Sequence, residues 1–201
     1  MPFDVFLALA VFASVTAFTP GPNNIMLAAS GVNFGFMRTI PHMIGITIGF
    51  VVLLIVCAAG LGVLVTTVPA LLIALKTACG LYMLWLAWKV ATANTTGDDE
   101  KAPGQPLTLF QAAAFQWVNP KALVVSLSAI AIYVRPENRM FDFLILLAVF
   151  TTTTAGSVVT WAGFGVGLRR FLKDPVHART FNVAMALLLV ASIIPIVTGA
   201  E

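Results

Sequence analysis

The chain has 201 residues, 60% hydrophobic and only 9% charged, with a formal net charge of +3. A soluble domain carries roughly a quarter charged residues, so this inventory cannot cover a water-exposed surface and excludes a soluble enzyme. The few basic residues sit beside apolar stretches, which argues for membrane topology and against a nucleic-acid partner.

The apolar runs reach the roughly 20 helical residues that a hydrocarbon core of about 30 Å demands. The first extends from Phe3 to Val32 and is interrupted at Thr19-Pro20-Gly21-Pro22. It lacks the basic leader and small-residue cleavage site of a signal peptide and carries Asp4, so it is expected to be a mature span. The second runs from His42 to Val65 and holds Gly45 and Gly49 four residues apart. Such a pair serves ordinary close packing or a dimer contact. Ala70 to Trp88 forms the third run, and Asn94 to Pro106 is the one strongly polar linker. The fourth run, Leu107 to Val134, is interrupted at Asn119-Pro120; Phe143 to Leu168 and Phe181 to Gly199 complete the set. Thr151 to Thr154 place hydroxyls inside the fifth run, where they bond back to helical carbonyls or line a path. Cys57 and Cys79 lie in apolar segments without paired spacing or a neighbouring His, which suits inert core residues rather than a metal site.

The two halves resemble each other. Ala59-Gly60-Leu61-Gly62-Val63 recurs as Ala162-Gly163-Phe164-Gly165-Val166, and at the same offset Lys76-Thr77 recurs as Arg179-Thr180. Aligning Pro22 with Pro120 superposes the interruptions and brings Ser30 onto Ser128. Because three spans are an odd number, the second half must cross in the opposite sense. The expected fold is an all-α membrane protein: six transmembrane helices as two inverted three-helix repeats, with broken first and fourth helices. Residues 1–93 form the first repeat, 94–106 the polar loop and 107–201 the second repeat of one transmembrane domain. Short-loop Lys and Arg set the orientation. With the amino terminus outside, the inner face collects Arg38, Lys89, Lys101, Arg169, Arg170, Lys173 and Arg179, and the outer face keeps Arg135 and Arg139, with Lys76 near it. Both termini are therefore expected outside.

The interruptions carry the chemistry. A proline removes a backbone donor and displaces the carbonyl four residues earlier, leaving polar groups that lipid cannot satisfy. In Thr19-Pro20-Gly21-Pro22-Asn23-Asn24 two amides follow such a break, where a half-helix start offers free donors to a carboxylate. Gln116-Trp117-Val118-Asn119-Pro120-Lys121 repeats the plan with a cation, and an ammonium inside an apolar span costs about 2.5–3.5 kcal/mol on insertion scales. The candidate substrate-binding residues are Pro20, Gly21, Pro22, Asn23, Asn24, Asn119, Pro120 and Lys121. Capping of the half-helices accounts equally well for the three Asn, and snorkelling towards an interface is the alternative for Lys121. No Asp or Glu lies deep in a span, so a neutral amino acid suits the site better than a cationic one. His42 has a suitable intrinsic pKa for proton transfer but sits near a span end. No nucleophile with a base and no metal-ligand set is visible, so neither enzymatic activity nor a cofactor is expected.

Thr19-Pro20-Gly21-Pro22-Asn23-Asn24, Gly35-Phe36 followed by Arg38, and Asn119-Pro120-Lys121-Ala122 together resemble the LysE/RhtB family of amino-acid exporters, and the likeness spans essentially the whole chain. Leu86-Ala87-Trp88-Lys89 is similar to the branch exporting cysteine and O-acetylserine. The resemblance implies an inner-membrane efflux transporter that moves an amino acid or close derivative out of the cytoplasm, driven by the proton gradient. A passive channel, or an exporter of another small solute or ion, is the alternative. The expected partners are the amino-acid substrate and the lipid bilayer, and the small-residue helix faces are compatible with a homodimer.

Overall fold

Prolines and glycines set the helix boundaries in the computed structural model, which describes residues 1–61, 69–93, 105–169, 171–172 and 174–193. Helix α1 (Phe3–Phe18) stops before Pro20, and α2 (Pro22–Val56) starts with a proline in its first turn, the position where a missing N–H costs nothing. Gly35 then adopts φ 78°, ψ 174°, open to glycine because it has no Cβ. The result is a sharp bend. Ser30 Oγ and Thr39 Oγ1 lie 2.9 Å apart, whereas nine residues of straight helix would separate them by about 13 Å. The sequence places a boundary between Val32 and His42; the chain makes it with a single glycine rather than a loop. The second arm of α2 ends in a π-helical turn, Cys57–Leu61, where Gly60 has φ 126°.

Helix α3 (Pro69–Ala91) follows. Helix α4 (Leu109–Val118) opens with a capping box in which Thr108 and Gln111 exchange side-chain and backbone hydrogen bonds. Helix α5 (Pro120–Tyr133) leaves it at 65°. A 3-10 turn at Pro136–Asn138 leads into α6 (Arg139–Arg169), and α7 (Pro175–Ala191) is capped by Asp174, whose carboxylate accepts from Val176 N at 2.8 Å.

Helix α2 packs chiefly on α6 and α4, and α3 packs on α7. Glycines permit the closest crossings. A methyl group at Gly31 or Gly165 would strike the facing backbone at Ala162 or Ala28, and at Gly45 or Gly49 the backbone of Leu109 or Ala113. Gly45 and Gly49 thus serve packing within the chain. The molecule is apolar outside: Phe110, Ile73, Trp88 and Leu187 are exposed, while Asn24, Ser30, Asn33, His42, Gln116, Asn119, Ser157 and Asn182 are buried. That reverses the usual rule for water-soluble proteins and suits a lipid surround. Among the described residues, two helical stretches, Pro22–Gly60 and Pro136–Arg169, are long and apolar enough to cross a membrane, or three if α4 and α5 count as one broken span.

Both ends of the bundle carry arginine, and at one of them it pairs with a buried carboxylate. At one end Arg38 lies over the Phe34 ring and an Arg169 nitrogen approaches Gly35. At the other, Arg135 makes a two-pronged ion pair with buried Asp142, at 2.7 and 3.1 Å, and Arg139 donates to the Ala58 carbonyl at 2.7 Å. The linker at 94–104, the ends of the second and sixth apolar runs, and Lys101, Arg170 and Lys173 lie outside the described residues.

Candidate functional site

Breaking the first apolar run at Pro20 and Pro22 frees the carbonyls of Ala17, Phe18 and Thr19, which must find other donors or remain as polar groups that lipid cannot satisfy. All three are taken by side chains from other helices. Asn24 Nδ2 donates to Ala17 and Thr19 at 2.8 and 2.9 Å. Ser157 Oγ donates to Ala17 at 2.6 Å, and Trp161 Nε1 to Phe18 at 3.3 Å. Lys121 Nζ, at the start of α5, donates to Thr19 at 2.8 Å. The cation of the second interruption therefore sits on the carbonyl released by the first, joining residues 102 apart in sequence.

Gly21 makes room for that contact. Its backbone is extended, φ −169° and ψ 177°, which any residue can adopt, so its conformation does not require glycine. The requirement is spatial: a Cβ there would lie 3.0 Å from Lys121 Cδ and 3.1 Å from Nζ. The two half-helix starts also differ. Asn119 Oδ1 accepts from the backbone N–H of Lys121 and Ala122, at 3.1 and 3.4 Å, which closes the α5 terminus. Gly21 provides no side-chain cap, so the backbone N–H groups of Asn23 and Asn24 receive none and the positive dipole end of α2 stays open beside the Lys121 ammonium.

Asn23 and Gln116 form a reciprocal amide pair at 2.9 and 3.2 Å between α2 and α4. Asn23, Asn24, Lys121 and Ser157 line a cavity of about 540 Å³, its open mouth included, whose apolar walls are Ile46, Phe50, Phe150 and Val158. Of the residues singled out in the sequence, Gly21, Pro22, Asn23, Asn24, Asn119 and Lys121 line it. Pro20 and Pro120 are not among its lining residues. Their place is in the breaks themselves. Thr151, Thr152 and Thr153 bond back to carbonyls of their own helix, whereas Thr154 lines the cavity. Sequence reasoning did not select Gln116, Ser157 or Trp161. Ser157 and Trp161 are four apart and thus share a helix face, but only folding reveals that this face meets the end of α1.

The model of the LysE type translocator family matches residues 14–192. The chain belongs to that family. As a LysE type translocator it is a membrane-embedded transport protein rather than an enzyme. Curated relatives in the family include the cysteine/O-acetylserine efflux proteins of Escherichia coli strain K12, Shigella sonnei and Shigella flexneri. Each is 31% identical over 185 residues, covering 91% of this chain and 92% of the relative. No solved structure matches the chain.

Proposed function

We propose that this translocator exports a neutral amino acid or close derivative, of the cysteine or O-acetylserine kind, from the cytoplasm by proton-driven alternating access. The solute binds in the cavity between the two interruptions. The observation that carries this reading is the Lys121–Thr19 contact, which places a cation, an uncapped helix start and a freed carbonyl within one small space. A zwitterion matches all three. Its carboxylate pairs with Lys121 and the open donors of α2, and its ammonium takes the Thr19 carbonyl that Lys121 releases. Binding thereby exchanges a bond between the two halves for bonds to the solute, giving the solute a differential hold on two arrangements of the halves.

Six spans in two inverted repeats remain our reading of the architecture. The element order supports it: in each half a helix breaks at a proline, runs from Pro22 to Gly35 or from Pro120 to Tyr133, turns, and continues as a long helix followed by a last one. Arg38, Lys89 and Arg169 at one end of the bundle, against Arg135 and Arg139 at the other, support an inner face at the first, with both termini outside. A homodimer would have to use faces other than the Gly45–Gly49 contact. Cells that express the chain and are preloaded with labelled amino acids test the transport reading. Uncoupler-sensitive loss of label for one or more neutral amino acids, absent in non-expressing cells, is expected. Equal retention of every amino acid in the two cell lines would refute it.

A further inference from the structure

We propose that a second cavity, around His42, is a separate station for the carboxylate of the transported amino acid; this rests on the export reading above. The cavity spans about 410 Å³ with its open mouth, and Ser30, Asn33, His42, Lys89 and Gln105 provide its polar lining. His42 is only 1% exposed, and neither ring nitrogen has a hydrogen-bond partner among the described residues. Leaving a buried polar group unpaired is costly, so the imidazole calls for an occupant that can bond to it. Lys89 gives that occupant its sign. Its ammonium lies over the Trp85 ring, 5.3 Å from the centroid, and no described carboxylate pairs with it. With a cation on the cavity wall and no acidic residue among the described residues that line it, an anionic group is favoured over a cationic one.

The two cavities repeat one chemical plan. The first has Lys121, the Asn23–Gln116 amide pair and the Ser157 hydroxyl. The second has Lys89, the Asn33–Asn182 amide pair at 3.1 and 3.2 Å, and the Ser30–Thr39 hydroxyl pair. Both lie along the folded arms of α2. Asn23 and Ile46 line the first, Asn33 and His42 the second, and ten residues of helix separate Asn23 from Asn33 by about 15 Å. The second cavity sits towards the Gly35 bend, the end that also carries Arg38 and Arg169. A solute arriving from the cytoplasm meets it first and then passes the buried Met26 and Ile46 to reach Lys121.

Diethyl pyrocarbonate, which modifies accessible imidazoles, tests this on the full chain in lipid nanodiscs. Modification of His42 is read by mass spectrometry against the exposed His177 as internal reference. O-acetylserine is expected to slow His42 modification several-fold, in the wild type and equally in Lys121→Gln. Serine methyl ester, an amine without a free carboxylate, should give no protection, and Lys89→Gln should abolish the protection by O-acetylserine. Equal protection by the ester, or protection lost in Lys121→Gln alone, overturns the second station. If the reagent does not reach His42, the stoichiometry of labelled O-acetylserine at saturation decides. Two molecules per chain, falling to one in Lys89→Gln, support the proposal, and one in both proteins overturns it. In efflux from the cytoplasmic side, Lys89→Gln and His42→Gln should each raise half-saturation by about tenfold, roughly 1.4 kcal/mol. A wild type that exports while both variants match it refutes this station alone, whereas a wild type that exports no amino acid refutes the export reading itself.

Discussion

Replacing Lys121 with Gln removes the cation on which the first cavity is centred while leaving the surrounding backbone satisfied. The Thr19 carbonyl that loses the ammonium at 2.8 Å still accepts from Asn24 Nδ2 at 2.9 Å, so the break between α1 and α2 keeps a partner and the protein should insert at normal levels. What disappears is a charge-assisted contact to the solute carboxylate. Hydrogen bonds to charged groups contribute about 1.5–3 kcal/mol, and each 1.4 kcal/mol is tenfold in affinity. Because Lys121 is half-buried rather than enclosed, the lower part of that range applies, and half-saturation for efflux should rise about tenfold to thirtyfold. The assay is initial-rate efflux from vesicles loaded over a range of concentrations, normalised to protein level. A normally inserted Lys121→Gln protein with wild-type half-saturation would remove the cation from the binding site.

Gly21→Ala should reproduce much of that defect without a new charge or a large loss of stability. Its methyl group would lie 3.0 Å from Lys121 Cδ and must push a flexible side chain off the Thr19 carbonyl; efflux and melting measured together on the same protein check this. Gly165→Ala should lower stability by about 1–3 kcal/mol, the usual cost of overpacking, because its methyl would strike the Ala28 backbone. Gly163→Ala, facing open space two residues away, should be neutral by the same detergent melting assay. Asp142→Asn weakens the paired contacts with Arg135, at 2.7 and 3.1 Å. It also removes the charge facing the amino-terminal ammonium at 3.4 Å, so a lower melting temperature is expected, with the second-site change Arg135→Gln adding little because its partner is already gone.

The proline breaks were legible because proline acts through its own backbone: Pro20, Pro22 and Pro120 stand where helices end or start, although Pro41 is carried inside α2. Composition likewise marked the apolar stretches, and the excess charge of Lys121 inside one of them pointed to the cavity it now lines. The bend at Gly35 was harder to see. The apolar runs stop at Val32 and resume at His42, yet one residue with positive φ accomplishes the turn and the helical pattern continues on both sides. Whether Asn119 caps or contacts solute depends on where its amide points, which spacing cannot specify; it caps α5, while Asn23 turns to Gln116 on another helix. Ser157, Trp161 and the Asn33–Asn182 pair were hidden for the same reason. Each is a single polar residue in an apolar helix, and its partner lies far away in sequence.

The central claim, carrier-mediated export of a neutral amino acid, is tested most directly with the purified chain in proteoliposomes loaded with labelled O-acetylserine or cysteine under an imposed pH gradient. Efflux that saturates with internal concentration, accelerates with the gradient and slows in Lys121→Gln is the predicted result. Flux that rises linearly with concentration and ignores the gradient would indicate a channel, and liposomes that retain every amino acid offered would contradict the account.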